Sequence, residues 1–304
     1  MENFSIVVHG GAGEDSEFIH LNESAIKTGL EDAVNVGQEK LKQGGSAMDA
    51  VENAVRLLEN NPLFNSGRGS VLNNEGEVEM DASIMDGKNN GAGAVALVRN
   101  VKNPISLARH IMENTPHVFL AGQGAFKIAK ESGLELEVDS YFITQHQVDR
   151  YIKSRKKDDV DNFIKKRVHG TVGAVALDKA GNLAAATSTG GTTNCLSGRI
   201  GDSCIIGAGC YANNSTCAVS GTGDGELLIT NVIAYSISTY MEFKNCTVQE
   251  ACDYVIHQRN KNINGDIGVI AVDAKGELGI CFNSERMHRA WKTNDEKLTV
   301  KIYK

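Results

Sequence analysis

The pair Gly170-Thr171 stands where a densely charged segment gives way to small apolar residues, in RVHGTVGAVALD. A threonine hydroxyl is a poor nucleophile unless a base removes its proton. If the chain is cut before Thr171, the freed α-amine of that residue, with a reference pKa of about 7.7–8.0, suits a general base. Gly170 favours such a cut because a residue without Cβ tolerates strained backbone. A Gly-Thr pair before a strand is also common in structural roles, so the pair alone leaves both interpretations open.

Signatures of other catalytic classes are absent from the sequence. Gly201-Asp-Ser-Cys-Ile lacks the closing glycine of a Gly-x-Ser-x-Gly nucleophile elbow. Neither a Gly-x-x-x-x-Gly-Lys-Ser/Thr phosphate loop nor a His-Glu-x-x-His zinc motif occurs. Gly221-Thr-Gly-Asp-Gly225 places its third glycine one residue too early for a dinucleotide loop. None of these conventional signatures therefore indicates a catalytic class.

The composition describes an ordinary globular protein of 304 residues with a net charge of −7. That charge argues against nucleic acid as a partner because no basic excess exists to neutralise phosphates. No apolar run reaches the roughly 18 residues of a membrane span, and the N-terminal run is too short for a signal peptide. The seven cysteines are odd in number and lack paired metal-ligand spacing, which predicts buried thiols. We therefore expect a cytoplasmic protein without membrane or nucleic-acid partners.

Hydrophobic spacing and glycine-rich turns predict the elements that must position Thr171. Strands are predicted at 4–8, 91–98, 171–178, 182–188, 268–273 and 277–283. Helices are predicted at 23–42, 105–113, 118–132, 225–241 and 248–258, and another reaches Leu58 with Ser46 as its N-cap. The two C-terminal hairpins carry apolar or small residues on both faces, so their strands should be covered on both sides. Covered antiparallel strands with helices outside predict an α+β fold of four layers, αββα.

The segment from Tyr151 to Arg167, YIKSRKKDDVDNFIKKR, differs in composition from its surroundings. It holds seven basic and three acidic residues and few core candidates. Such a block is usually a solvated helix or a mobile loop. Its position just before Thr171 adds a further interpretation, a processing linker at about residues 148–170. The cut would then yield chains of residues 1–170 and 171–304 that together form one domain.

Short motifs spread over nearly the whole chain carry a resemblance to a known family. They are HGGAG at 9, NPLFNSGRGSVLN at 61, EVEMDASIMDG at 77, HGTVGAVALD at 169, TSTGG at 187, GRIGDS at 198, GAGCYA at 207 and SGTGDGE at 220. In order and spacing the sequence resembles the plant-type asparaginase/isoaspartyl peptidase family of N-terminal nucleophile hydrolases. The resemblance implies an αββα fold, autocleavage between Gly170 and Thr171, and hydrolysis of L-asparagine and of N-terminal β-aspartyl peptides.

The resemblance also implies roles for residues around the nucleophile. Thr171 matches the nucleophile itself, and Thr189 matches a second threonine that hydrogen-bonds near it. Thr222 and Gly223 match the oxyanion-hole residues, where close amide groups stabilise developing charge. Asn65 matches a residue that supports the active site.

Substrate recognition is implied at three further positions. Arg199 and Asp202 match the pair that holds the α-carboxylate and the α-ammonium of the substrate, and Gly225 matches a backbone contact to it. A guanidinium fork fits a carboxylate with two hydrogen bonds, and an aspartate accepts from an ammonium. Without the family pattern, a surface ion pair between Arg199 and Asp202 is the simpler interpretation.

No cofactor is expected for catalysis, but the resemblance implies a structural sodium ion. Backbone carbonyls hold it in relatives, at positions that match Leu58, Glu59, Asn61, Phe64, Ser66 and Arg68. Carbonyl oxygens suit a hard cation, although the sequence alone indicates only a helix end and a turn there. Asp224 and Gly221 depart from the family pattern, since relatives often have an uncharged residue or histidine at the first and threonine at the second. These departures bear on substrate preference more than on the reaction.

The sequence thus predicts an L-asparaginase/β-aspartyl-peptidase that assembles as a dimer of αβ heterodimers. A glycosylasparaginase or a threonine endopeptidase is the first alternative. The expected lack of a signal peptide disfavours the former, and the intact Arg199 and Asp202 pair disfavours the latter. A non-catalytic relative that never cleaves its chain and serves as a binding or scaffold protein is the alternative from another class.

Overall fold

Helices and strands alternate along the chain, of which the computed structural model describes residues 3–155, 170–294 and 297–304. The helices of this part are α1 (Glu17–Lys42), α2 (Ala47–Asn60), α3 (Pro104–Asn114), α4 (Gly122–Glu131), α5 (Asp139–Phe142), α6 (Gln145–Arg155), α7 (Gly225–Asn231), α8 (Ile233–Lys244) and α9 (Val248–Asp253). A 3-10 turn spans Asp202–Cys204, and a π-helical turn, Tyr254–Arg259, continues α9.

The strands form two sheets. They are β1 (Ser5–Gly13), β2 (Met80–Asp86), β3 (Ala92–Val98), β4 (Phe119–Ala121), β5 (Val172–Leu177), β6 (Leu183–Thr189), β7 (Cys210–Ala212), β8 (Cys217–Gly223), β9 (Ile267–Asp273), β10 (Leu278–Phe282), β11 (Arg286–Thr293) and β12 (Thr299–Tyr303). The larger sheet has the order β12-β11-β1-β5-β6-β2-β3-β4, and the smaller has the order β10-β9-β8-β7. Neighbouring strands are antiparallel except β3 and β4. A mixed fold of helices and sheets is therefore confirmed.

Strand pairing surrounds the residue that the sequence singles out. Thr171 directly precedes β5, which pairs with β1 on one side, where His9 faces Gly173. On its other side β5 pairs with β6, where Val172 faces Ser188. The pairing therefore brings the HGGAG and TSTGG motifs to either side of Thr171.

Apolar side chains pack into three main regions. One lies between the larger sheet and α1, α2 and α3, another between the two sheets, and the third between the smaller sheet and α7, α8 and α9. Ile6 and Val7 of β1 enter different regions, as do Val269 and Ile270 of β9. Successive side chains of a strand point to opposite faces, so both faces of these strands are buried. This confirms the expectation of strands covered on both sides.

Capping chemistry explains where α2 begins. The Ser46 hydroxyl accepts from the Asp49 N–H at 3.1 Å, and the Asp49 carboxylate accepts from the Ser46 N–H at 3.2 Å. This reciprocal capping box satisfies two N–H groups that the first turn would leave unpaired. The predicted N-cap at Ser46 is confirmed.

Three predicted helices differ from the structure, each for a different reason. Residues 118–132 contain β4 before α4, because β4 pairs with β3. Residues 225–241 divide into α7 and α8 at Val232, whose φ of +49° is incompatible with a continuous helix. Residues 248–258 begin as α9 and continue as a π-helical turn. The spacing of apolar residues does not indicate where one residue adopts a left-handed backbone, or where the hydrogen bonds change from an α-helical to a π-helical pattern.

Two other expectations concern the charged segment and the cysteines. Helix α6 ends the described part at Arg155, and the predicted linker from 156 to 169 lies outside the described residues. All seven cysteines are free thiols, and five of them are buried. Within the residues that the structure describes, no helix is long and apolar enough to cross a bilayer.

Candidate active site

Thr171 lies just before β5 and is almost fully buried, with 4% of its surface exposed. It faces the bulge in β1 between His9 and Ala12. Gly11 in this bulge has a φ of +110°, and a Cβ there would lie 2.8 Å from the Cα of Gly170. Only glycine permits both this backbone conformation and this approach. The HGGAG motif therefore shapes the wall opposite the Gly170-Thr171 bond.

A second threonine receives the hydroxyl hydrogen of the first. Thr171 Oγ1 donates to Thr189 Oγ1 at 3.4 Å, and the Gly191 N–H donates to the same oxygen at 3.1 Å. The first contact is long for a hydrogen bond between hydroxyls. In the uncut chain the nitrogen of Thr171 belongs to a peptide bond, so it cannot act as a base. Pairing of β5 with β6 holds the two threonines in register.

His9 supports the backbone of Thr171. Its Nδ1 lies 3.0 Å from the Thr171 carbonyl oxygen, and its Nε2 lies 2.9 Å from Ser220 Oγ. Burial lowers the pKa of His9 to about 3, so the ring is neutral. Because a carbonyl only accepts, Nδ1 carries the hydrogen and Nε2 accepts from Ser220. Sequence reasoning missed this role of His9, for which the available signal was its place directly after a strand in HGGAG.

Asn65 joins the loop after α2 to the turn after β6. Its Nδ2 donates to the Gly191 carbonyl at 2.7 Å, and its Oδ1 accepts from the Val71 N–H at 2.9 Å. Its backbone carbonyl accepts from the Gly190 N–H at 3.1 Å. A Cβ on Gly170 would lie 3.1 Å from the Cβ of Asn65. Asn65 therefore contacts Gly170 and holds the TSTGG turn in place.

Thr222 and Gly223 end β8 beside the nucleophile. Thr222 is fully buried, and its Oγ1 accepts from the Ala12 N–H at 3.2 Å. Its own hydroxyl hydrogen is therefore available to a developing negative charge. Gly223 has a φ of +125°, and a Cβ there would lie 2.2 Å from the Asp266 carbonyl oxygen. Gly223 and Thr171 share the walls of one pocket.

Arg199 is held by a carboxylate that sequence reasoning missed. Its Nε and Nη2 donate to the two carboxylate oxygens of Glu226, each at 3.0 Å. Burial alone would lower the pKa of Arg199, but the hydrogen bonds and charge of Glu226 raise it. Burial would likewise raise the pKa of Glu226, yet the contacts with Arg199 lower it to about 2. Both groups are charged, and this contact leaves the two N–H groups of Nη1 and one of Nη2 for another ligand.

Asp202 is a buried carboxylate with an available oxygen. Its exposed fraction is 3%, and its Oδ2 has no hydrogen-bond partner among the described residues. Burial raises the pKa of Asp202 to about 7, although the charge of Arg199 acts in the opposite direction. A Cβ on Gly209 would lie 2.6 Å from Oδ2, and one on Gly225 would lie 2.9 Å from Oδ1. Glycines at both positions therefore leave room for a cation beside the carboxylate.

We call Arg199 and Asp202 the clamp residues. Asp81 positions the segment between them. The buried Asp81 carboxylate accepts from the Gly201 N–H and from the Leu97 N–H, both at 2.9 Å. Burial raises the pKa of Asp81 to about 6, while these two hydrogen bonds act to lower it. Asp81 thus ties β2 to the backbone directly before Asp202. Its role was not predicted, although it lies in the EVEMDASIMDG motif.

Six of the predicted site residues line a pocket of about 10 Å³, room for about one water molecule, while Asn65, Thr222 and Gly225 are not among its walls. Its walls are Gly170, Thr171, Thr189, Gly191, Thr192, Arg199, Gly201, Asp202 and Gly223. An amino acid cannot enter a space of this size. Since Gly170 is one of the walls, the pocket can admit a substrate only after the chain before Thr171 moves.

The predicted cation loop after α2 is closely packed around two of its carbonyl groups. A Cβ on Gly67 would lie 2.3 Å from the Glu59 carbonyl oxygen, and one on Gly69 would lie 2.5 Å from that of Phe64. Carbonyl oxygens suit a hard cation such as sodium. Backbone N–H groups also donate to the carbonyls of Leu58, Glu59, Asn61 and Phe64. The loop therefore has its own hydrogen bonds, and sodium binding by these residues, Ser66 and Arg68 stays a prediction.

A buried carboxylate connects this loop to the nucleophile's strand pair. Glu59 Oε1 accepts from Ser188 Oγ at 2.7 Å and from the Ile105 N–H at 3.0 Å, and Oε2 accepts from Asn103 at 3.0 Å. Ser188 Oγ also lies 2.8 Å from Ser66 Oγ. Burial raises the pKa of Glu59 to about 7 against these hydrogen bonds. The network therefore links the loop to β6 one residue before Thr189.

The two departures from the family pattern have structural consequences. Asp224 precedes α7, and its hydrogen bond contributes to the low pKa of Glu226. A Cβ on Gly221 would lie 2.5 Å from the side chain of Leu228. Asp224 thus acts on the carboxylate that holds Arg199, and Gly221 gives α7 room to pack.

A separate group of possible metal ligands lies between α9 and β10. The ligand atoms of Asp253, His257 and Cys281 all lie within 4.8 Å of one another. Cys281 Sγ donates to Asp253 at 3.3 Å, and burial raises the pKa of this thiol. The thiol is therefore protonated. None of these residues lines the pocket of Thr171.

Comparisons with known proteins cover the whole chain. The family model described as asparaginase (Asparaginase_2) matches residues 2–302. The isoaspartyl peptidase of Salmonella typhimurium is 43% identical over 312 residues, which cover 100% of each chain. That of Escherichia coli is 43% identical over 307 residues, 98% of this chain and 96% of the relative. An isoaspartyl peptidase/L-asparaginase of Xenopus laevis is 42% identical over 299 residues, 98% of this chain and 94% of the relative.

Proposed function

The chain belongs to the asparaginase family, and we propose that it is a threonine amidohydrolase that matures by cutting itself before Thr171. Its reaction is hydrolysis of L-asparagine to aspartate and ammonia, and removal of N-terminal β-aspartyl residues from peptides. One observation carries this proposal. The buried Thr171 hydroxyl shares a single pocket with a guanidinium and with a carboxylate whose Oδ2 lacks a hydrogen-bond partner among the described residues.

Maturation uses the hydroxyl of Thr171 on its own preceding carbonyl. Oγ1 adds to the carbonyl carbon of Gly170, the C–N bond breaks, and the nitrogen takes the hydroxyl proton. This shift frees the α-amine of Thr171, and water then hydrolyses the resulting ester, which separates Gly170 from Thr171 and restores the hydroxyl. The close packing of Gly11 and Asn65 against Gly170 supports this step because it restricts the scissile residue from two sides.

Substrate hydrolysis uses the same hydroxyl with the new amine as its base. Oγ1 attacks the side-chain carbonyl carbon, and Thr222 and Gly223 stabilise the oxyanion. Ammonia or a peptide leaves with the proton that the amine had taken. Water then hydrolyses the β-aspartyl ester and regenerates the hydroxyl. In the uncut chain Thr189 accepts a hydrogen bond from Oγ1, so the two hydroxyls already lie side by side before the amine is freed.

The clamp residues select a free amino-acid end. Arg199 binds the α-carboxylate and Asp202 binds the α-ammonium, while Gly225 leaves space between them. The burial of Asp202 supports this assignment, since a buried carboxylate gains most from a cationic partner. A threonine endopeptidase acts on substrates that lack this free end, so the clamp disfavours that alternative.

Further parts of the proposal concern architecture and assembly. We infer that the packed layers form the αββα sandwich of N-terminal nucleophile hydrolases, composed of chains 1–170 and 171–304. Two such heterodimers associate, the site of action is the cytoplasm, and sodium occupies the loop after α2. The carbonyl oxygens of this loop are of the kind that suits a hard cation, which supports the last point.

Intact-mass measurement combined with an assay of ammonia release from asparagine tests the proposed function. Two fragments that meet at Gly170 and Thr171, together with ammonia release, are expected. One stable uncut chain without activity would instead favour the non-catalytic alternative.

A further inference from the structure

A cleft of about 890 Å³ adjoins the pocket of Thr171. The two spaces share Gly170, Thr192 and Arg199 as wall residues. A cleft of this size can hold a ligand much larger than ammonia. Once the aspartyl part of a substrate occupies the clamp, the leaving part of a peptide needs a space that connects with the nucleophile. This cleft provides it.

Two buried residues of β11 line the cleft close to the cut site. Arg286 and His288 are 4% and 5% exposed. A Cβ on Gly10 would lie 3.3 Å from the Cβ of His288, while one on the next residue, Gly11, would lie 2.8 Å from Gly170. The glycine turn of β1 therefore contacts His288 on one side and Gly170 on the other.

Arg286 gives this part of the cleft a positive potential. Its Nε donates to the Glu14 carbonyl at 2.9 Å, and its Nη1 lies 3.3 Å from His288 Nε2, so neither contact supplies a carboxylate. Burial lowers the pKa of Arg286 to about 10, and more distant acidic groups only partly oppose this. Arg150 also lines the cleft. Burial lowers its pKa to about 10, and the positive charge of Arg286 contributes to the same shift. Glu14 and Glu17 line it as well, but both are exposed.

His288 adds an uncharged donor beside this guanidinium. Burial, followed by the charge of Arg286, lowers the pKa of His288 to about 3, so the ring is neutral. Since Arg286 donates to Nε2, the single ring hydrogen lies on Nδ1. Nδ1 is buried and makes no hydrogen bond of regular geometry among the described residues, although the neighbouring Gly10 backbone acts to raise the pKa of the ring. A guanidinium next to an unsatisfied N–H is a donor set for a carboxylate.

We propose that Arg286 and His288 bind the free C-terminal carboxylate of the residue that leaves from a β-aspartyl dipeptide. The peptide substrates are then dipeptides in preference to C-terminally blocked chains. This inference rests on the proposed function and names the substrate class of the same site. It makes Arg286 and His288 specificity residues, because neither touches the bond that breaks.

The test compares kcat/KM of the matured wild-type enzyme for β-aspartyl-leucine and for its C-terminal amide. The scissile bond and the aspartyl part are the same in both substrates. We expect about tenfold higher kcat/KM for the free acid, mainly through KM, as for loss of one charged hydrogen-bonding contact. Equal values would overturn the inference without any variant. If the acid and the amide have equal kcat/KM but the enzyme releases ammonia from asparagine, the proposed function still holds. If no substrate is hydrolysed, both the inference and the proposed function are overturned.

Two arginine variants on the same strand assign the effect. Arg286→Gln should reduce the acid-to-amide ratio to nearly one. Arg289→Gln is the matched control, because Arg289 is 6% exposed on the same strand but does not line the cleft. It should retain the wild-type ratio. A ratio that survives in Arg286→Gln would remove this residue from the site, and the wild-type comparison stays decisive if the variant fails to fold.

Discussion

Arg199 and Glu226 form a two-point ion pair, with a donor–acceptor distance of 3.0 Å at each point. The pair fixes the plane of the guanidinium and therefore the direction of Nη1. Its carboxylate partner, Glu226, does not line the pocket of Thr171. A bidentate contact of this kind loses its geometry when one oxygen is replaced by an NH₂ group, which only donates. The orientation of Arg199 is therefore a property of two residues.

Replacement of this partner should weaken substrate binding but not maturation. We expect Glu226→Gln to raise KM for asparagine about tenfold with a smaller change in kcat, because a partly exposed ion pair is partly screened. Steady-state kinetics measures the change, and intact mass should still reveal two chains. Glu242→Gln, an exposed position on α8, is the control. An unchanged KM in Glu226→Gln would mean that Arg199 is oriented by other contacts.

The nucleophile prediction concerns one hydroxyl that serves two steps. Thr171→Ala should stop both autocleavage and asparagine hydrolysis, leaving one chain of 32.6 kDa by mass spectrometry. Thr171→Ser should keep some of both, since a hydroxyl remains while the lost methyl loosens its rotamer. Thr28→Ala, on the exposed face of α1, should mature normally. Normal maturation of Thr171→Ala would move the cut to another bond.

The space at Gly225 yields a prediction about a single methyl group. A Cβ there would lie 2.8 Å from Arg199 Nη2 and 2.9 Å from Asp202 Oδ1. We expect Gly225→Ala to lower kcat/KM for asparagine by about tenfold or more, since it displaces both clamp residues. Gly124→Ala, where no atom lies within 4 Å of the new Cβ, is the control for helix substitution. If both variants keep wild-type kinetics, Gly225 is not required for substrate contact.

The raised pKa of Asp202, about 7, predicts a pH dependence of substrate use. Above this pH the carboxylate is ionised and can hold an ammonium; below it the group is protonated and the attraction is lost. The quantity kcat/KM for β-aspartyl dipeptides should therefore fall as the pH falls through about 7. The α-amine of Thr171 also titrates near neutral pH, so the contribution of Asp202 must be isolated by a second substrate.

Acetylated dipeptides provide that comparison, because they present no ammonium. Asp202→Asn should impair substrates with a free α-amine but lose this effect on N-acetylated ones. In the wild type, the pH profile that both substrates share belongs to the α-amine of Thr171, and the difference between them belongs to Asp202. Equal impairment of both substrates by Asp202→Asn would make Asp202 a structural ion-pair partner instead.

Much of the fold followed from local patterns, and the exceptions are informative. Ser46 was predicted as an N-cap because it stands directly before a run of apolar residues at helical spacing, from Met48 to Leu58. The break at Val232 was missed because one left-handed residue leaves the hydrophobic period of the flanking helices almost unchanged. Strand β4 was missed because its place depends on β3, a partner distant in sequence. Features set by neighbouring residues, such as the N-cap, were predicted from the sequence, whereas pairing between distant segments was not.

The candidate site divides in the same way. Family motifs were enough to select Thr171, Thr189 and the clamp residues, since each motif is a short run with its own spacing. The contacts that orient them join residues far apart in the chain: His9 with Thr171, Asp81 with Gly201, and Glu226 with Arg199. Such contacts cannot be predicted from a short stretch of sequence, because the residues next to one partner do not indicate where the other partner will lie.

The sequence by itself determined the family and the candidate nucleophile, because these are encoded in the identity and order of neighbouring residues. Only the tertiary structure decided that the pocket before cleavage has room for about one water molecule, and that Oδ2 of Asp202 lacks a hydrogen-bond partner among the described residues. It also decided that Arg286 and His288 stand beside the cut site. Burial, pocket volume and hydrogen-bond satisfaction depend on every segment that packs around a group, so they exist only once the sheets and helices have come together.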